Sequence, residues 1–562
     1  MLRKSSAYKR YSRLIIIVGS SLLGFFLLLV LFLDRFIEPI LKDRLHTLII
    51  QGSDSLYTYT LGGLKANFYG GKVEVENLQI DIDSNRYEHL KKRNALPSLT
   101  MEVRLERGQI KGIGLIDLLF RKRIKIKEIV SKKADIKLSR HIRRAVETEK
   151  GRPLWKSIQP NISAITVGKI NLDGIKLLYK DADTSTSVKL QFDRCDAVFE
   201  NIRIDSAAAF DTTRTGFTKQ IFIRFHDLKY RTSDSTYKMK AEWITYSSKN
   251  KSLEIDSFKL QPTLEREDFY GAANRQTSLY YIEFAKVRFV NTRLDQFIHN
   301  NVIASDSVVF DSPDIEIYNN KLLPPDYESK IGKYPHQKLL KASSIINIKN
   351  IFFKGGNLTY SEKSQKTLQE GGFSITNLNL HATNVTNDFN LITQNSTCTA
   401  NINGFILGNS PVSLTLKLYL DSLNGRYDAI GSVKNISADK LNQLAMPLAN
   451  VQINSFNMHN LDFNVSGEDW SATSIVRMRY NNLSLTIKKM DEETGANQTN
   501  KFLTKILTKF VIWPDNPGPD GVERIARNSR VSRLTTQSFF GLLWKAIFAG
   551  MQDIMMKSGR YG

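Results

Sequence analysis

Apolar residues are distributed in three different ways along this chain. From Leu14 to Leu33 they are continuous: LIIIVGSSLLGFFLLLVLFL is about twenty residues long, the length that crosses a bilayer core of about 30 Å. Ile37, Ile40, Leu41, Leu45, Leu48 and Ile49 then recur at helical spacing, which predicts a juxtamembrane amphipathic helix over 34–50. From about residue 51 the period shortens to two. KVEVENLQIDID, residues 72–83, alternates Val73 and Val75, then Leu78, Ile80 and Ile82, the mark of a strand with one apolar and one polar face.

The continuous run predicts a membrane anchor over 14–33, with Leu14, Ile17, Leu22, Phe25, Phe26, Leu29 and Leu33 among its lipid-facing side chains. Arg3, Lys4, Lys9, Arg10 and Arg13 precede it in a short basic tail, residues 1–13, whereas Asp34, Arg35, Glu38, Lys42, Asp43 and Arg44 of mixed sign follow. That bias keeps the N-terminus cytoplasmic and sends everything from Asp34 onward to the other side. A cleaved signal peptide fits less well, because its apolar core is shorter and ends at small residues, whereas this run ends in Asp34, Arg35, Phe36. No later segment is apolar enough for a second span.

Alternation continues for some 400 residues. Clear strands are predicted over 99–105, 124–130, 170–179, 221–225, 253–260, 308–318, 412–420 and 483–487. Short helical signals interrupt them at 114–121, 293–300 and 438–448. The first two open similar series. ADIKL (134–138) is echoed by DIEIY (314–318), ITVGKINLDGIKLLYKD (165–181) by INIKNIFFKGGNLTYSE (346–362), and FENIRI (199–204) by ITNLNL (375–380). Gly174 and Gly355, and Tyr179 and Tyr360, stand at the same spacing of about 180 residues. The pattern predicts a tandem duplication, each copy a helix followed by an antiparallel meander, with a first half over 51–288 and a second over 289–489.

Pro and Gly in WPDNPGPDGVER make residues 490–534 read as a linker. A helical stripe follows within 535–562, where Phe540, Leu543, Trp544, Ile547, Met551 and Ile554 share one arc. Such a helix either docks on the protein's own sheet or lies in a membrane interface, the latter favoured by Trp544 and by Lys557 and Arg560 at its end.

Composition changes the picture little. Lys and Arg number 79 against 56 Asp and Glu, a net charge of +23, which would ordinarily suggest nucleic acid. Here the basic residues are spread along strands predicted outside the cytoplasm, as in RKRIKIKEIVSKKADIKLSR (121–140), so they read as a solvated sheet face or as attraction to anionic head groups. Cys195 and Cys398 leave one disulfide or two buried thiols open. The eight His form no HExxH and pair with no Cys at zinc-ligand spacing, and there is no phosphate-cradling loop, dinucleotide fingerprint or GxSxG elbow. No catalytic residue, cofactor or metal site is expected. Gly62-Gly63, Gly70-Gly71 and Gly355-Gly356 read as hairpin or bulge positions.

Several segments resemble the AsmA-like proteins of the Gram-negative envelope. The likeness lies in LYTYTLGGLKANFYGGKVEVENLQIDID (56–83), in residues 112–140, in 436–469 and 476–489, and in the tail 516–553. The resemblance implies an inner-membrane anchor and a periplasmic β-groove of the repeating, bridge-like kind, with a role in phospholipid transport, outer-membrane biogenesis or outer-membrane lipid homeostasis. It implies membrane lipids as partners, with the outer membrane or envelope proteins at the far end, and carries no catalytic residues. The fold class expected is mainly β: a curled antiparallel sheet with few short helices, between an N-terminal transmembrane helix and a C-terminal amphipathic helix. The alternative is a structural or assembly factor for outer-membrane proteins whose sheets fill their own interior.

Overall fold

The computed structural model describes residues 49–560 apart from 51–52, 54, 68–70, 94, 98, 115–116, 118–120, 142–162, 182–187, 212, 216, 233, 293–295, 298–299, 491–496 and 500–510. The anchor over 14–33 and nearly all of the juxtamembrane helix lie outside the described residues, as do most of the helices expected over 114–121 and part of that over 293–300. Among the described residues no helix is long and apolar enough to cross a membrane. The chain is mainly β, and it divides into two compact units. Unit 1 runs to Phe258 and includes Val290–Asn301; unit 2 comprises Lys259–Phe289 and Val302 onward.

Unit 1 contains β1 (Tyr57–Asn67), β2 (Lys72–Ile82), α1 (Ser84–Lys92), β3 (Leu99–Lys111), β4 (Arg123–Arg140), β5 (Ala164–Asp181), β6 (Val188–Ile204), α2 (Ser206–Ala209), β7 (Thr218–Arg231), β8 (Tyr237–Ser247) and most of β9 (Ser252–Pro262). Neighbours pair antiparallel from β1 to β4 and from β5 to β8. The pairing of β4 with β5 is parallel, Arg123 opposite Ala164 through Arg140 opposite Asp181, which corrects the expected antiparallel meander. Alternation alone cannot tell the two apart, because both ladders have a period of two. On β4, Ile124, Ile126, Ile129, Ala134, Ile136 and Leu138 are buried while Lys125, Lys127, Lys132 and Lys137 are exposed. The basic charge is therefore carried on the solvated face, where cross-strand pairs such as Lys137–Glu102 (3.2 Å) and Lys111–Glu128 (2.9 Å) recur. Exposed pairs of this kind contribute about 0–1 kcal/mol each.

The strands of unit 1 share an interruption at one level. Asn77, Lys133, Gly174 and Asp227 all have left-handed backbone, φ 50°, 51°, 69° and 51°. At each, the apolar positions slip by one: Val73 and Val75 give way to Leu78 and Ile80, and Ile170 and Leu172 to Ile175 and Leu177. The register runs unbroken across these positions from β2 to β5 and shifts only between β5 and β6, beside Gly174, where an unmatched residue increases local twist. The aligned slips keep one face apolar on both sides of this level.

Unit 2 contains α3 (Arg266–Ala272), β10 (Ser278–Val290), β11 (Val302–Asp311), β12 (Asp314–Asn320), α4 (Pro335–Leu340), β13 (Ile345–Lys363), β14 (Glu370–Thr386), α5 (Phe389–Ile392), β15 (Thr397–Ile406), β16 (Ser410–Tyr419), β17 (Tyr427–Ser437), α6 (Ala438–Ala449), β18 (Val451–Gly467), β19 (Ser471–Met490), β20 (Asn497–Thr499), β21 (Ile525–Ser532) and α7 (Phe539–Met555). The single strand expected over 308–318 is two, because Ser312, at φ 48°, and Pro313 separate β11 from β12. Both pair parallel with β13, and β13 to β19 then form an antiparallel series. Part of the expected linker is sheet: β21 pairs antiparallel with β19, Ser471 opposite Ser532 through Arg477 opposite Ile525. Pro514, Pro517 and Pro519 precede that strand and so leave its ladder intact.

The two glycine-marked strands carry a similar local hydrogen bond. In unit 1 the Gly174 N–H donates to Asp196 Oδ1 at 2.9 Å, and in unit 2 the Gly355 N–H, with φ 62°, donates to Asn379 Oδ1 at 3.1 Å. Gly174 sits in β5, the partner of a parallel pair, and Gly355 occupies the same place in β13. Both bulges are held by a side chain from the next antiparallel strand.

Candidate functional site

Following the register through unit 1 yields cross-strand rows that are apolar from end to end. Tyr59, Ile80, Val103, Ile136, Leu177, Phe192, Leu228 and Ala241 lie opposite one another in turn across β1 to β8. The next row is Leu61, Leu78, Leu105, Ala134, Ile175, Cys195, Phe225 and Ile244. Between β1 and β6 most of these positions belong to one buried cluster, with Leu78, Ala134 and Ile136 almost without solvent contact and Tyr59, Leu61, Leu177 and Cys195 partly buried against it. On β7 and β8, Ile223, Phe225, Leu228 and Ile244 are only half-buried.

Unit 2 repeats this arrangement with the packed end at its C-terminal strands. Phe310, Phe353, Leu380, Ile402, Leu414, Gly431, Phe463, Val476 and Ala526 form one row from β11 to β21. Phe284 extends it, its ring 4.9 Å from that of Phe310, which in turn lies 5.0 Å from Phe353. From Phe310 to Leu414 the row is half-buried; from Phe463 to Ala526 it is buried. The difference is α7. Its 17 residues, about 25 Å of helix, lie chiefly against β18, β19 and β21, with Phe539 also meeting Tyr427 at the start of β17. Antiparallel sheets tolerate one solvated face, but that face is ordinarily polar. Here the half-open positions are Phe, Leu and Ile, so β11 to β16 present an apolar strip about 19 Å across at about 4.8 Å per strand.

One face of α7 docks on the protein's own sheet. Phe539, Leu542, Leu543, Ala546, Ile547, Gly550 and Ile554 are buried against the sheet, with Met551 half-buried in the same cluster. Of the residues expected to meet a membrane, Leu543, Ile547 and Ile554 are therefore core, which corrects that assignment, while Phe540 and Trp544 remain exposed. The docking face is set by small residues that an apolar stripe does not register. A Cβ on Gly550 would meet Val476 Cγ2 at 2.3 Å, and Ser474 Oγ donates to the Ala546 carbonyl at 2.7 Å.

The approach to α7 is fixed by a buried polar cluster. Arg533 Nη1 donates to Asp469 Oδ1 at 3.2 Å, its Nε donates to the Gln537 carbonyl at 3.0 Å and its Nη2 to the Lys330 carbonyl at 2.7 Å. The guanidinium lies 4.3 Å from the centre of the Tyr334 ring. Asp469 also accepts from Gln337 Nε2 at 2.8 Å and from the Gly332 N–H at 3.2 Å. Burial pushes the Tyr334 hydroxyl up to about 12 and the His336 imidazole down to about 4, the latter against the pull of Asp469. The cluster has the geometry of a structural tie: Arg533, Asp469, Gln337 and Tyr334 are each hydrogen-bonded to a neighbour in the fold, while both ring nitrogens of His336 are buried without a hydrogen-bond partner among the described residues.

Cys195 and Cys398 are free thiols, one in each unit. Burial raises the first to about 12 and the second to about 11, so neither is a nucleophile at neutral pH. Among the described residues no group of three His, Cys, Asp or Glu side chains is placed to hold a metal ion. The paired acids near the Gly174 bulge act as hydrogen-bond acceptors and ion-pair partners, as Asp173 does for Arg194 at 2.9 Å. No protein-family model matches this chain, and no curated protein matches it in sequence.

Proposed function

We propose that this chain is an AsmA-like envelope protein that carries the acyl chains of phospholipid along its half-open apolar sheet face, and so contributes to outer-membrane lipid homeostasis. The observation that carries this reading is the row Phe310, Phe353, Leu380, Ile402 and Leu414, large apolar side chains that stay half-exposed on strands beyond α7, although α6 lies against β14, β17 and β18. An acyl chain on that strip removes apolar area from water at about 0.8 kcal/mol per methylene. Relative to a bilayer the gain is near zero, so such a face conducts lipid without retaining it, and no bond is made or broken. The anchor over 14–33 would hold the molecule at the inner membrane with its N-terminus cytoplasmic and its sheet in the periplasm.

Photo-crosslinking amino acids at Leu380, Ile402 and Leu414, compared with the outward-facing Asn401 and Asn403, test the proposal in cells. Lipid adducts confined to the inward positions support it, and inward positions that capture no lipid overturn it.

One observation favours a second reading, a structural or assembly factor. From β2 to β4 both rows are buried as in an ordinary core, at Leu78, Ile80, Val103, Leu105, Ala134 and Ile136. If crosslinks from the outer faces go to envelope proteins while the inward positions stay empty, that reading replaces the first.

A further inference from the structure

Helix α7 is apolar on two sides. Its docked face fills the unit 2 core, yet the ridge turned away carries Phe540, Trp544 and Phe548 at intervals of one turn, 60 %, 58 % and 40 % exposed. The last two rings are stacked, 5.8 Å between centroids. A helix docked by one face ordinarily turns polar residues outward. Here three of the largest apolar side chains in the sequence occupy that place, with Leu534, also exposed, just ahead of the helix.

Charge identifies what the ridge meets. On α7 and the residues just after it, Ser538 to Arg560, there are three basic residues, Lys545, Lys557 and Arg560, and one acid, Asp553. Arg533, just ahead of the helix, is buried in its ion pair with Asp469. A second copy seated on the same ridge would bring two basic surfaces together, an arrangement that a self-complementary interface avoids. Aromatic rings, Trp above all, beside Lys and Arg match the boundary between anionic head groups and acyl chains.

We infer that the Phe540–Trp544–Phe548 ridge is a docking surface for anionic lipid membrane, with α7 lying in the plane of the interface while its opposite face stays on the sheet. The inference rests on the lipid-carrying reading for its purpose alone; the surface is argued from its own residues.

The test uses the full chain in phosphatidylcholine nanodiscs, so that the predicted anchor is already occupied, mixed with vesicles of phosphatidylcholine with or without phosphatidylglycerol. The protein floats with the phosphatidylglycerol vesicles, and the bound fraction falls with added salt. Replacing Phe540, Trp544 and Phe548 together by Ser lowers the bound fraction about tenfold, with the melting temperature and near-ultraviolet dichroism of the remaining tryptophans retained, and Trp544→Phe alone keeps most of the binding. Flotation that survives the triple replacement overturns the inference. So does a native protein that floats with neither vesicle, or a ridge that instead supports a dimer lost in the triple variant. Flotation without lipid adducts at Leu380 and Ile402 overturns the conducting strip and leaves the ridge standing; adducts without flotation do the reverse.

Discussion

Arg533 and Asp469 form an ion pair at 3.2 Å with their side chains 0 % and 8 % exposed, joining the residues just after β21 to the turn between β18 and β19. A buried pair of this kind is weak evidence for stability in itself, but breaking it leaves one charge out of water without a partner. Asp469→Asn should cost about 3 kcal/mol or more, read from denaturant midpoints. Arg533→Met combined with Asp469→Leu should recover part of that loss, because no unpaired charge remains. A double variant no better than the worse single one would show that the other bonds of the cluster matter more than the pair.

His336 predicts a pH dependence. Its folded value lies near 4 and its unfolded value near 6.5, because burial disfavours the charged imidazole more than Asp469 favours it. The unfolded chain therefore binds the extra proton between these limits. Stability is unaffected by this group above about pH 6.5 and falls as pH drops toward 4, the loss reaching about 3 kcal/mol at the bottom of the window. His336→Phe should flatten this part of the stability curve. Parallel curves for the two proteins would mean that the imidazole is solvated.

Gly550 sets two effects against each other. Gly to Ala in a helix interior gains about 1 kcal/mol of propensity, but the new methyl would stand 2.3 Å from Val476 Cγ2. Overpacking of this degree costs about 1–3 kcal/mol, so Gly550→Ala should lower the melting temperature. A rise would show that α7 can lift from β19 at little cost.

The strip on β11 to β16 should tolerate charge where the packed end does not. Ile402 is half-buried and Val465 is buried, on strands of the same sheet face. Ile402→Asp should cost less than about 1.5 kcal/mol, whereas Val465→Asp should cost about 4 kcal/mol or more. Equal losses at the two sites, measured by urea unfolding, would mean that the strip is closed in solution.

Much of the sheet was legible in the alternation. Strands appeared where Val, Ile and Leu recur at every second residue, α6 was found over almost its full length (438–448 against Ala438–Ala449), and the glycine-marked repeat reappeared as matched bulges at Gly174 and Gly355. The level line of left-handed residues also has a sequence signal, the one-residue slip from Val75 to Leu78 or from Leu172 to Ile175, which is read only once neighbouring strands are aligned. The parallel pairing of β4 with β5 left no such trace.

The sequence by itself determined which stretches are strands, which faces are apolar, and that the last helix is amphiphilic, because these depend on the periods of two and 3.6 along a single segment. Only the tertiary structure decided which face of α7 docks, since Gly550 and Ala546 matter through the closeness of Val476 and Ser474 and contribute almost nothing to an apolar stripe. It also decided where the apolar rows are covered and where they stay half-open, and that Arg533 meets Asp469. These are relations between segments distant in the chain, and a local pattern carries no record of them.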